Sequence, residues 1–162
     1  MSSAFVQFVP STSQVFTFQP TLNGVQYNAA ITWNVAGQRY YLNLYDSANN
    51  LIICRSVDSS GPRFMASFSW AQGFAVATTA LPHNVPVGSC ANMRASETQS
   101  PYDGDWQVIS TSALTLSYTL PNPNLSTIET GTIMQPLNLV EQLGIGWLLF
   151  HYDTQQFEFE SA

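Results

Sequence analysis

Apolar and polar residues alternate along most of this 162-residue chain, and that period of two restricts the fold more than any other feature. The clearest run is Val25, Tyr27, Ala29, Ile31 and Trp33, with Gln26, Asn28, Ala30, Thr32 and Asn34 between them. Successive side chains of a strand point to opposite faces, so such a run makes a strand with one buried face. Residues 15–19 precede it, and between the two sits Asn23-Gly24, a pair suited to a two-residue hairpin turn because both central positions need positive φ. Residues 39–46 and 50–55, joined by the polar turn Ser47-Ala48-Asn49, read as third and fourth strands of a meander.

Asp58-Ser59-Ser60-Gly61-Pro62 then breaks the pattern. Beyond it, residues 74–79, 89–94 and 106–109 read as short strands, and Leu114, Leu116, Tyr118 and Leu120 alternate with polar residues in another. Asp103-Gly104 is a second hairpin-type dipeptide, and Pro121-Asn122-Pro123-Asn124 a second breaker. Residues 64–122 therefore form a self-contained small β module. Residues 137–143 are the one helical candidate, and 147–153 with 156–160 read as a closing strand and an edge strand. Two strands alone cannot bury an apolar face, so this last pair returns to the N-terminal sheet. The expected architecture is all-β: a discontinuous β-sandwich or barrel-like domain of residues 1–62 plus 123–162, with 64–122 inserted and at most one short helix.

Charge narrows the partners. Only 9% of residues are charged, four Arg with no Lys against ten acidic residues, where ordinary domains carry roughly 25%. Four scattered Arg neutralise few phosphates, and a net charge of −6 repels nucleic acid and an anionic membrane face. A chain that is 45% hydrophobic and 13% aromatic is not disordered. Met1-Ser2-Ser3-Ala4-Phe5 lacks the basic and long apolar regions of a secretory signal. The apolar stretch at 144–150 is far short of the ~20 residues that span a bilayer. Cys54 and Cys90 have no metal-type spacing and are expected as buried free thiols.

Groups with catalytic chemistry are few. His151 alternates within an apolar strand and is expected to pack there with a hydrogen bond, and His83 to brace the loop after Pro82. A hydrolase would need one of them to gain a carboxylate partner across the domain boundary. Asp103 and Asp105 flank Gly104 and are expected to make local turn bonds rather than a calcium or glycosidase site. Glu158 and Glu160 alternate with Phe157 and Phe159, the pattern of a solvated face. No GxSxG, P-loop or GxGxxG motif occurs, so no catalytic, cofactor or metal residue is assigned and no enzyme activity is expected. Trp70, Trp106 and Tyr102 are candidates for exposed sugar platforms, although Trp33, Trp106 and Trp147 lie in alternating runs where burial is the default.

The segments Thr21-Leu22-Asn23-Gly24-Val25-Gln26-Tyr27, Ile31-Thr32-Trp33-Asn34 and Tyr41-Leu42-Asn43-Leu44-Tyr45-Asp46 resemble a family of small β proteins of contractile bacteriophage tails, the baseplate plug or tail-tube-associated proteins. Leu143-Gly144 followed by residues 147–152 is similar to that family's end. The likeness covers about residues 15–57 and 133–155. Within 64–122, "P-H-x-x-x-V-G" at Pro82 to Gly88 and "Y-x-G-x-W-x-V" at Tyr102 to Val108 look like small β modules of tail and virion proteins. The resemblance implies a structural component of the virion tail, at the baseplate or tube junction. It would be made in the host bacterial cytoplasm and assembled in several copies against tube, hub, wedge or sheath-initiator proteins. A carbohydrate-binding or adhesion module of a tail tip or fibre is the alternative.

Overall fold

In the computed structural model, residues 3–57, 63–97, 100–121, 128–134 and 136–160 are described. Seven strands come first: β1 (Ser3–Gln7), β2 (Phe16–Phe18), β3 (Thr21–Leu22), β4 (Val25–Gln26), β5 (Asn28–Asn34), β6 (Arg39–Tyr45) and β7 (Leu51–Ser56). Seven more follow: β8 (Arg63–Ala71), β9 (Phe74–Thr79), β10 (Cys90–Ala95), β11 (Gly104–Gln107), β12 (Ser110–Thr111), β13 (Thr115–Thr119) and β14 (Glu129–Met134). The chain ends in β15 (Leu137–Asn138), a 3₁₀ turn at Glu141–Leu143, β16 (Leu148–His151) and β17 (Gln156–Glu160). The protein is all-β, and it divides into two units, Met1–Ser60 with Leu137–Ala162, and Gly61–Pro136.

In the first unit, β2, β5, β6 and β7 form an antiparallel meander. A second sheet runs β15-β16-β17-β3-β4, with β1 along β17 from Ser3 opposite Glu160 to Gln7 opposite Gln156. Their apolar faces share one core, with Ile31, Leu42 and Leu44 from the meander and Leu148, Phe150, Phe157 and Phe159 from the other sheet. The Phe157 ring meets those of Phe18 and Phe150 at 4.9 and 5.0 Å, and Phe8 at 5.7 Å.

The run from Val25 to Trp33 is not one strand. It splits at Tyr27, whose N–H donates to the Pro20 carbonyl at 2.9 Å, so that β4 lies in one sheet and β5 in the other. Alternation reports which face is buried and is blind to a change of partner. Asn23-Gly24 makes the expected hairpin turn, between β3 and β4, with φ of 48° and 75°. In the β6–β7 turn, Asp46 Oδ1 accepts the N–H groups of Ala48 and Asn50 at 2.9 and 2.8 Å, and Oδ2 accepts Asn50 Nδ2 at 2.9 Å. The side-chain bond from Asn50, then its backbone bond, hold the Asp46 carboxyl below the usual carboxylate range.

The second unit is one antiparallel sheet in the order β11-β10-β14-β8-β9-β13-β12. Its two ends, β11 and β12, are consecutive pieces of residues 104–111, and the Val108 N–H donates to Ser89 O at 2.8 Å while Ile109 N–H donates to Ser117 O at 2.9 Å. One bent segment thus joins both edges and closes the sheet into a barrel, which removes the open-edge problem. The interior holds Phe68, Ala77, Met93, Leu116, Tyr118 and Ile133.

The expected boundary after residue 122 is corrected: β14 pairs with β8 and β10, so residues 129–134 belong to the inserted unit, which runs to Pro136. Without β14 the barrel would lack the stave between β8 and β10. The breaker at 58–62 and most of the one at 121–124 lie outside the described residues.

Tyr118 is fully buried, and its hydroxyl has no hydrogen-bond partner among the described residues. Burial first, then the neighbouring Tyr102, Asp103 and Glu129, push its phenol well above the ordinary value near 10. A folded-state value above the unfolded one means stability is full below about pH 10 and is lost as pH rises beyond it. Tyr118→Phe is therefore expected to flatten the alkaline fall in Tm. At neutral pH it should add about 1 kcal/mol, because an unsatisfied buried hydroxyl disappears. Thermal melts from pH 7 to pH 11 check both, and an unchanged alkaline limb would contradict the assignment.

Candidate functional site

Two hairpins of the first unit turn through four residues, 35–38 between β5 and β6 and 152–155 between β16 and β17. Each ends on a glutamine in the left-handed region, Gln38 with φ 49° and Gln155 with φ 53°. An L side chain there costs roughly 1–2 kcal/mol, which is why glycine or asparagine is usual. Asn23, Asn49 and Asn84 fill other such positions in the ordinary way, and Gln72 takes one in the β8–β9 turn. Gln38 and Gln155 differ from Gln72 in lining one cavity of about 270 Å³.

The buried Phe8, Val57 and Phe150 line this cavity. Three other rings also line it: Trp33 and Tyr40, packed edge to face at 4.8 Å, and the half-exposed Tyr152. Arg39 lines it as well, with Nε donating to Gly37 O at 3.2 Å. Both loops are braced. Gln7 Nε2 donates to Thr154 O and Gln155 O at 3.2 and 3.0 Å, Gln155 Nε2 donates to Tyr152 O at 2.7 Å, and Asn34 Oδ1 accepts the Gly37 N–H at 2.8 Å. In the sequence this site is hidden, because Trp33 lies in an alternating run that points to core and Tyr152 and Gln155 lie more than a hundred residues away from it. A glutamine as the last residue of each four-residue loop, Gln38 and Gln155, was the available signal.

The two longest edge strands of the same unit, β1 and β7, are unguarded. Among the described residues β1 pairs only with β17 and β7 only with β6. Neither contains Pro or Lys, and the single charge, Arg55, is drawn away by a bond from Nη1 to Asn138 O at 3.1 Å. A bulge at the start of β7 leaves Ile53–Ser56 in regular register. Phe5, Leu51, Ile52 and Cys54 are exposed along these edges.

Residues singled out from the sequence fall as follows. His151 Nε2 lies 2.6 Å from Glu158 Oε2, so His151 gains a carboxylate from its own hairpin. The solvated-face expectation is corrected: Glu158 is fully buried and Glu160 nearly so. A buried carboxylate is tolerable only when paired; Glu158 has His151, and Glu160 Oε2 accepts the Asn23 N–H at 2.8 Å. His83 is buried, with Nδ1 accepting the Val85 N–H at 3.1 Å. Asp103 Oδ1 accepts the Ala95 N–H at 2.6 Å and Asp105 Oδ1 accepts Asn92 Nδ2 at 2.8 Å, so both brace β10 rather than make local turn bonds.

The open-platform role also fails for Tyr102, which is fully buried. Trp106 stacks on Tyr118 at 5.4 Å and its indole N–H donates to Tyr102 O. The half-buried Trp70 donates its indole N–H to Leu120 O at 2.8 Å. Cys54 is exposed rather than buried, Cys90 is half-buried, and both are free thiols. Among the described residues no cluster of three or more His, Cys, Asp or Glu is placed to hold a metal, and no helix is long and apolar enough to cross a membrane.

Comparison of the chain with protein-family models, with curated proteins and with solved structures finds no match.

Proposed function

We propose that this chain is a structural subunit that acts by being built into an assembly, and that the assembly is a bacteriophage tail at the baseplate or tube junction. The observation that carries the assembly reading is the pair of unguarded edges, β1 and β7. A strand edge bearing exposed apolar residues and no guarding Lys, Pro or inward-pointing charge adds a strand from a partner. Two different edges allow each copy to hold two different neighbours, which rings and tubes need and a closed dimer does not. A low surface charge supports the same reading, because desolvating a hydroxyl or amide that finds a partner costs far less than desolvating a charge. The tail setting rests on the motifs at residues 21–46 and 143–152.

The test is incorporation. Cys54 is exposed on edge strand β7, so Cys54→Lys should leave the isolated chain folded while placing a charge on that edge. In particles purified from a tailed phage encoding the chain, the parent protein should be found at the tail and the variant depleted at least tenfold. Recovery of the parent outside the tail would overturn the setting, and full incorporation of Cys54→Lys would overturn the use of the β7 edge.

A further inference from the structure

We propose that the cavity between the β5–β6 and β16–β17 hairpins binds a single neutral pyranose ring, a property separate from assembly through strand edges. A pyranose presents one face of C–H groups with slight positive charge and a rim of hydroxyls that both donate and accept. The C–H face suits the negative face of an aromatic ring, and Trp33, Tyr40 and Tyr152 supply rings on the wall. The hydroxyl rim needs groups with donors and acceptors together, and an amide has both; Gln38 and Gln155 line the same cavity, Gln155 with one amide N–H held by Tyr152 O.

Size and charge narrow the ligand. At about 270 Å³ the cavity lies at the small end of ligand pockets, which run from roughly 300 Å³ upward, so it admits one ring rather than a chain of them. Among the described residues Arg39 is the one charged residue lining it, and its Nε donates to Gly37 O. Besides Arg39, the lining groups are aromatic, aliphatic and amide, the kinds that suit a neutral sugar.

The two left-handed glutamines are the further observation. Glycine would relieve the strain at both positions, and backbone strain of this kind gathers at ligand clamps. Glycine, however, would remove both amides from the cavity. Binding by one ring with a few hydrogen bonds is expected at a Kd on the order of 1 mM.

The experiment is a titration of the ¹⁵N-labelled full chain with D-glucose, D-galactose, D-mannose and N-acetyl-D-glucosamine, followed by amide shifts. At least one sugar should give saturable shifts centred on residues 33, 38–40 and 152–155. Tyr152→Ala should abolish them, since Tyr152 is half-exposed and its loss spares the core. Gln38→Gly should raise Tm yet weaken binding about three- to tenfold, the loss of one hydrogen bond; a merely structural Gln38 would give the rise in Tm alone. No saturable shift with any of the four sugars, shifts that survive Tyr152→Ala, or unchanged affinity in Gln38→Gly would each overturn the proposal.

Discussion

Gly131→Ala is expected to cost the barrel unit about 3–5 kcal/mol, a large part of the ~5–15 kcal/mol by which a domain is usually stable. The reason is space and not backbone angle. Gly131 lies in β14 between Ala95 of β10 and Ala66 of β8. A Cβ there would sit 2.1 Å from the Arg94 carbonyl oxygen, 2.6 Å from the Ala95 Cα and 2.8 Å from Phe68 Cε2. Two of these are backbone atoms in a paired strand, so relief requires β14 and β10 to separate. Urea unfolding should show a midpoint far below that of the parent. A shift equivalent to less than about 1 kcal/mol would mean that β14 is not clamped between its two neighbours.

The first unit has its counterpart in Phe157→Ala, expected to cost about 3–5 kcal/mol. Phe157 is fully buried and its ring is shared by Phe8, Phe16, Phe18 and Phe150, with centroids 4.9 to 6.5 Å away. These neighbours come from both sheets and from the segment after β1, so no single rotamer change fills the space. Phe157→Leu should recover much of the loss, and calorimetry on the two variants separates volume from ring contacts. Equal destabilisation by Ala and Leu would point to ring geometry rather than filled volume.

Much of the architecture was legible because alternation reports burial directly. β5, β6, β9, β13 and β17 lie where the apolar positions place them, and Asn23-Gly24 makes its turn. What alternation cannot report is partnership. Val25 to Trp33 keeps one phase while its chain passes between sheets at Tyr27, and β14, Glu129–Met134, is a strand of the barrel although it follows a proline-rich breaker. Composition misled at β17: Glu158 and Glu160 look solvated because carboxylates usually are, yet each is buried against a partner that pattern alone does not locate. The cavity was illegible for the same reason. Trp33 and Tyr40 meet Tyr152 and Gln155 only after both sheets of the first unit have formed, and the left-handed backbone of Gln38 and Gln155 is a property of the turns rather than of the residue type.

Amide hydrogen exchange on β1 and β7, in the isolated chain and in purified particles, tests the assembly reading most directly. Outward-facing N–H groups of Ser3–Gln7 and of Ile53–Ser56 should exchange quickly in the isolated chain, while the amides paired within the sheets stay protected. In particles, the outward-facing amides of at least one of the two edges should become protected by a neighbouring strand, with exchange slowed at least a hundredfold. Equal, rapid exchange at both edges in chain and particle would contradict the account.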